Sequence, residues 1–190
     1  MQIFRSDSLS PEKRKEIISL ADENLGQNYL SEYDLEQFSN FNPQYYCFIK
    51  DDRLRAFALF LSGQRSVMET AFGIQEPGLR ENDYEGVLKT VVTHRSFKGK
   101  GIATALIAEG LLQFQKMGIK NCFSFAWLEN KKINLEGPLI KNGFLTQKVV
   151  DGYWTEQSAI KKITCPVCGP PPCYCKAYLF KWKNPGYSGE

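Results

Sequence analysis

From Val87 the chain runs apolar to Val92. It then reads Thr93-His-Arg-Ser-Phe-Lys98-Gly99-Lys100-Gly101-Ile102-Ala103-Thr104 before a helical repeat of apolar positions begins. A strand, a bend punctuated by two glycines and a helix in immediate succession leave few architectures open. Gly99 and Gly101 permit backbone angles closed to other residues, so successive N–H groups can converge on one point with no side chain in the way. The helix expected from about Lys100 starts with unpaired N–H groups and the positive end of its dipole at the same point, and Lys98 and Lys100 add formal charge. Together these features describe a cradle for a diphosphate. Ala103, Leu106, Ile107, Gly110, Leu111 and Phe114 recur at helical spacing, which predicts one face packed on a sheet, and Gly118 ends the helix.

Three phosphate-loop patterns are relevant. The Walker loop requires Gly-x-x-x-x-Gly-Lys-Ser/Thr, a frame this stretch lacks. The dinucleotide fingerprint Gly-x-Gly-x-x-Gly places its third glycine where Thr104 stands, and it follows its strand directly, whereas His94 to Lys98 intervene here. In Lys98-Gly99-Lys100-Gly101-Ile102-Ala103, preceded by His94-Arg95-Ser96-Phe97, the chain resembles the GNAT N-acetyltransferase superfamily, whose coenzyme A loop reads Arg/Gln-x-x-Gly-x-Gly/Ala. A later Lys141-Asn142-Gly143-Phe144 is similar to the Lys-x-Gly-Phe that ends a short helix in that family. Three positions depart from the pattern: Lys98 stands where Arg or Gln is usual, Leu139 where many members carry a tyrosine acid, and Lys132 where the helix-start asparagine falls, with Asn130 and Asn134 nearby.

The resemblance implies an α/β fold of the mixed type, a mostly antiparallel central sheet flanked by helices with the cofactor loop between a central strand and its following helix. It implies acetyl-CoA as cosubstrate, held by Val91, Val92, Thr93, Lys98, Gly99, Lys100, Gly101, Ile102, Ala103, Thr104 and Asn134. It also implies acetyl transfer to an amine, with strand amides around Val91 to Thr93 polarising the thioester. A base is sought in Glu85, or in Glu69 on the strand expected before it, and Tyr153 is the nearest suitable acid once Leu139 has replaced the tyrosine. His94, the only histidine, is expected to shape the strand end and rules out sites needing two.

The order of elements agrees with this reading. Ser10-Pro11-Glu12 starts a helix with Ile17, Leu20, Ala21 and Leu25 on one face and Gly26 at its end, and a second short helix is expected over 31–38. Segments 45–50, 54–61 and 67–74 read as an antiparallel meander turning at Asp51-Asp52 and Gly63-Gln64. A strand over 121–127, a short helix to Phe144 and a final hairpin of 144–151 with 176–182 complete one domain, 1–183, followed by a tail, 184–190. With 190 residues, 43% of them hydrophobic, one full core can be buried. A net charge of +3 with interspersed signs gives no concentrated basic face, so nucleic acid is a poor partner; Lys131-Lys132 and Lys161-Lys162 read as solvated turns. The N-terminal residues carry no signal-peptide core and no run reaches membrane-spanning length, which points to a cytoplasmic protein without membrane association.

A second constellation, Cys165-Pro-Val-Cys168-Gly-Pro-Pro-Pro-Cys173-Tyr-Cys175, lies in a loop (164–176) within the final hairpin. A Cys-x-x-Cys turn followed closely by two more thiols suits tetrahedral zinc with four protein ligands, hence a structural metal. A redox pair, two disulfides or four unrelated thiols are the other readings, and the Cys-x-Cys spacing is less usual for zinc. Cys47 and Cys122 sit in apolar strands as small core residues. Glu76, Glu81, Asp83 and Glu85 form an acidic run that can either attract an ammonium group or simply be solvated. A small-molecule amine is the expected acceptor, with a protein amine second. The competing class is a non-catalytic coenzyme A scaffold that uses the cysteine loop to bind another macromolecule, and a dinucleotide oxidoreductase is a third.

Overall fold

The computed structural model describes residues 2–74, 83–129 and 132–187. Its centre is a mostly antiparallel sheet in the order β1-β2-β3-β4-β5-β8-β7, with β6 paired to β5. The strands are β1 (Ile3–Ser6), β2 (Gln44–Lys50), β3 (Arg53–Gln64), β4 (Tyr84–Thr93), β5 (Asn121–Glu129), β6 (Lys132–Ile133), β7 (Leu145–Val150) and β8 (Ala177–Lys183). The helices are α1 (Pro11–Leu25), α2 (Glu32–Phe38), α3 (Arg65–Phe72), α4 (Ile102–Lys116), α5 (Glu136–Lys141) and α6 (Thr155–Lys161). The sequence expectation of an α/β domain with this kind of sheet is met.

Local chemistry accounts for the helix ends. The Ser10 hydroxyl accepts from the Lys13 amide at the start of α1, and Ser31 and Asp34 form a reciprocal capping box at the start of α2. On one face of the sheet, α4 packs through Leu106, Ile107, Leu111 and Phe114 against Phe60 and Leu88. On the other, Ile17, Leu20 and Leu35 cover Phe57, Leu59 and Val87. Gly110 brings α4 very near the sheet, since a Cβ there would lie 2.2 Å from the Phe60 ring.

Four features differ from expectation. The third strand of the meander is absent: β3 continues to Gln64, and residues 65–72 form helix α3. Met68 and Phe72, four apart, are buried on one face; Arg65 pairs with Glu69 across a single turn at 2.7 Å; the Gly73 amide closes the end on the Glu69 carbonyl. A chain that opens on strand β1 rather than on helices is the second difference. Third, the final hairpin encloses helix α6, whose Lys161 is no solvated turn residue but pairs with Asp34 of α2 at 2.7 Å. Fourth, Asn184, expected in a loose tail, is buried and donates to the Ile119 carbonyl at 3.0 Å. Residues 188–190 of that tail lie outside the described residues, as do Glu76, Glu81, Asn130 and Lys131. No helix among the described residues is long and apolar enough to cross a membrane.

Candidate functional site

β4 and β5 run parallel, and they pair only from Glu85–Asn121 to Val87–Phe123. Ser124 Oγ donates to the Leu88 carbonyl at 3.1 Å, and beyond this point the strands part. The gap is a cleft of about 600 Å³. Its walls come from Leu88 to Thr93 of β4, from Ser124 to Trp127 of β5, from the glycine loop and from segments on the far side. Two strands splayed in this way leave backbone groups of β4 facing empty space. The His94 amide donates to Arg55 of β3 at 2.8 Å. The two-residue alternation of a strand therefore turns Val92 toward β3 and presents the N–H and C=O of Thr93 and Val91 to the cleft. Thr93 Oγ1 is also buried there with no hydrogen-bond partner among the described residues.

Beyond β4, His94 accepts from the Ser96 amide through Nδ1 and starts a short 3-10 turn at Arg95–Phe97. The glycine loop follows. Gly99 and Gly101 adopt φ of +76° and +75°, angles that side-chain-bearing residues rarely take, and no described atom beyond their immediate chain neighbours lies within 4 Å of where their Cβ atoms would be. Gly101 caps α4 with no side chain, so the first N–H groups of Ile102, Ala103 and Thr104 lack intrahelical acceptors and open on the cleft wall. Of the residues expected to hold the cofactor, Val91, Val92, Thr93, Lys98, Gly99, Gly101, Ile102, Ala103, Thr104 and Asn134 line the cleft. Lys100 does not; its ammonium lies 4.9 Å from the Phe97 ring centroid. Lys132 and Lys141 stand on the same side. Backbone donors, a helix N-terminus and lysines form a donor set that fits a diphosphate.

The expected base and acid are not brought to the cleft. Glu85 lies at the closed end of the β4–β5 seam, 2% exposed, and accepts from Asn121 Nδ2 at 3.0 Å. Glu69 is on α3, paired with Arg65. Asp83 pairs with Lys120 at 3.4 Å, so the described part of the acidic run does not face the cleft. Tyr153 stacks on Phe125 with centroids 4.0 Å apart and donates its hydroxyl to the Phe72 carbonyl at 3.3 Å, while burial raises its pKa. Leu139 is fully buried in the core.

Sequence reading missed the far side of the cleft. Asn24, Leu25 and Tyr29 arrive from the end of α1, Lys89 and Thr90 from β4, and Trp154, Ser158 and Ile163 from around α6. One signal was available: Lys89 is the sole charge in an otherwise apolar strand between Glu85 and His94. It occupies a β-bulge, since Leu59 of β3 pairs with Thr90 and Phe60 with Leu88. The other contributors come from segments distant in sequence and carry no common motif.

Cys165 and Cys173 also line the cleft. With Cys168 and Cys175 they place four sulfurs within 4.8 Å of one another. Cys165–Cys175 and Cys168–Cys173 are 3.8 Å apart and Cys168–Cys175 3.2 Å, too long for a disulfide. Four thiolates around one zinc ion are spaced by about 3.8 Å, the edge of a tetrahedron with metal–sulfur bonds of roughly 2.3 Å. The residues therefore fit a metal. The amides of Val167 and Cys168 point at Cys165 Sγ at 3.4 Å each, and Trp127 donates to Cys175. Burial pushes up the thiols of Cys173 and Cys175, the latter to about 11. Burial also acts against the Cys168 thiolate, but hydrogen bonds led by that from Cys175 outweigh it and lower the pKa. Helix α6 holds the loop: Ser158 Oγ accepts from the Cys173 amide at 2.7 Å and Thr155 Oγ1 donates to the Cys173 carbonyl at 2.9 Å. Cys47 and Cys122 are core residues whose thiols burial raises, Cys47 to about 11.

A sheet opened between two parallel strands above a glycine loop defines a fold class that other structures share. The E. coli ribosomal-protein-S18-alanine N-acetyltransferase superposes with a TM-score of 0.65 at 13% identity, over 100% of this chain and 97% of that one. Arabidopsis thaliana NAA60 gives 0.68 at 12% identity in complex with a bisubstrate analogue (98% and 100% covered) and 0.63 at 13% with acetyl-CoA (96% and 99%). Comparison with curated proteins gives no match. The profile of the acetyltransferase (GNAT) family matches residues 14–133, and the chain belongs to that family.

Proposed function

We propose that this protein moves an acetyl group from acetyl-CoA to an amine. The observation that carries the reading is the open edge of β4 beside the N-terminus of α4. Val91 and Thr93 offer main-chain pairing to the pantetheine arm, and the amides of 99–104, with Lys98, receive the diphosphate. Lys132, Asn134 and Lys141 stand close enough to meet the rest of the coenzyme. In the reaction the amine nitrogen bonds to the acetyl carbon, the carbon–sulfur bond breaks, and the sulfur leaves with the electron pair and takes a proton. Placement of the two reactants and backbone polarisation of the carbonyl supply catalysis here. Neither Glu85 nor Tyr153 has a part in it.

The cysteine quartet holds a structural zinc ion, on this reading, that folds the loop over the acceptor side. All four positions would be filled by sulfur, leaving no place for reactive water. A small amine is the first acceptor, and a protein amino terminus the second, the latter supported by the name of the E. coli structural relative. A non-catalytic coenzyme A scaffold is favoured by one observation, that Leu139 is buried in place of a tyrosine acid. Release of free thiol from acetyl-CoA across an amine panel tests the proposal. Turnover with any amine supports transfer; coenzyme A binding with no turnover on any amine supports the scaffold.

A further inference from the structure

We propose that the acceptor is a primary amine carrying a carboxylate on the same residue as its nitrogen or on the next one, and that Lys89 receives that carboxylate. This inference rests on the acetyl-transfer reading above and names the substrate class. The bulge at Lys89 takes one residue of β4 out of register with β3 and sends a lysine to the wall of the cleft. Its Nζ lies 5.6 Å from the centroid of the Tyr29 ring, and the Tyr29 hydroxyl is 3.4 Å from Thr90 Oγ1. The result is a corner with one cation and two hydroxyls in a cleft whose walls also carry Trp127 and Trp154.

Charge decides the class. Apart from Cys165 and Cys173, whose thiolates belong to the proposed metal site, every charged side chain among the described wall residues is a lysine: Lys89, Lys98, Lys132 and Lys141. Lys98 lies in the glycine loop and Lys141 precedes Asn142, which donates to the Thr104 carbonyl; on the acetyl-transfer reading these two and Lys132 have a coenzyme's phosphates to meet. Lys89 does not, and no ion pair among the described residues involves it. The carboxylates nearest in the fold's logic are committed elsewhere, Asp34 to Lys161 and Asp22 to the Asn28 amide. A cation in a cleft walled by aromatic rings attracts an anion more strongly than it would in bulk water. It repels a polyamine by the same rule, so the corner selects against multiply cationic acceptors as well as for acidic ones. A positive charge beside the reacting ammonium also favours loss of its proton, and the neutral amine is the nucleophile.

A free α-amino acid and a peptide terminus with an acidic second residue share this chemistry, and matched pairs separate them. The probes are L-tyrosine against tyramine, L-phenylalanine against phenethylamine, the peptide Met-Glu-Ala-Ala against Met-Lys-Ala-Ala, and spermidine. Each is offered with acetyl-CoA to the full chain, and melting curves check each variant's fold. We expect the carboxylate-bearing member of at least one pair to have kcat/KM roughly tenfold higher or more. Lys89→Ala should abolish that preference through KM, Lys89→Arg should restore it, and Lys89→Glu should reverse it, all with unchanged affinity for coenzyme A. The proposal is overturned if tyramine, phenethylamine, the lysine peptide or spermidine matches or exceeds its acidic counterparts throughout. It is overturned equally if Lys89→Ala leaves the preference intact, or if a protein that binds coenzyme A turns over none of the probes. Failure to bind coenzyme A at all would instead remove the acetyl-transfer reading beneath it.

Discussion

The two halves of the cleft are built from different materials. On the side we assign to the coenzyme the groups on offer are main-chain: the open edge of Val91 and Thr93 and the N–H groups that Gly99 and Gly101 allow to converge. On the side we assign to the acceptor they are side chains, Tyr29, Lys89, Trp127, Trp154 and two of four clustered cysteines, contributed by segments far apart in the chain. Backbone geometry serves any substrate that carries the same diphosphate, whereas side chains can be exchanged singly to change what is acetylated. Zinc in the cysteine quartet, as proposed, would stiffen a loop that is otherwise proline-rich coil.

Substitutions can break this division or sharpen it. The largest expected effect is from Cys165→Ser, which removes a corner of the sulfur tetrahedron. Structural zinc contributes on the order of 10 kcal/mol of folding free energy in small peptides. Here we expect loss of bound zinc by elemental analysis and a melting point lower by more than about 10 °C. Affinity for coenzyme A, measured calorimetrically below the new transition, should stay within about twofold. Unchanged zinc content and melting would contradict the metal assignment.

Gly101→Val should do the reverse. A branched residue resists φ of +75°, and its Cβ enters the space where the amides converge. Affinity for coenzyme A should fall about a hundredfold, which is about 2.7 kcal/mol, while zinc content is unchanged. Next in size is Gly110→Ala, which strikes the support shared by both halves. Its Cβ would meet the Phe60 ring at 2.2 Å, and overpacking of this kind costs about 1–3 kcal/mol, read as a lower melting point. The smallest effect is from Tyr153→Phe, which deletes the bond to the Phe72 carbonyl: about 1 kcal/mol of stability, with kcat/KM within about twofold of the parent. A loss of turnover well beyond that would restore Tyr153 as the acid.

The strand, glycine loop and helix on the cleft wall were legible because glycines with obligatory backbone angles, an apolar strand and a helical repeat are all local signals. The cysteine quartet was legible for the same reason, with its four thiols inside eleven consecutive residues. Helix α3 was misread because Gly63-Gln64 reads as a hairpin turn, which makes the residues after it a returning strand. The pairs Arg65–Glu69 and Met68–Phe72, which reveal the helix, become decisive only once the sheet is there to bury one face. Glu85 and Tyr153 fit by element order, but order does not say which way a strand residue faces or how far two parallel strands stay together. Tyr29 and Lys89 meet through tertiary structure alone.

Backbone amide spectra recorded during titration with acetyl-CoA test the central claim most directly. The account predicts saturable shifts at Val91, Thr93 and the amides from Gly99 to Thr104, with Glu85 and Tyr153 undisturbed. Saturable binding that shifts the seam around Glu85 and leaves the glycine loop unchanged, or no shift at all, would contradict it.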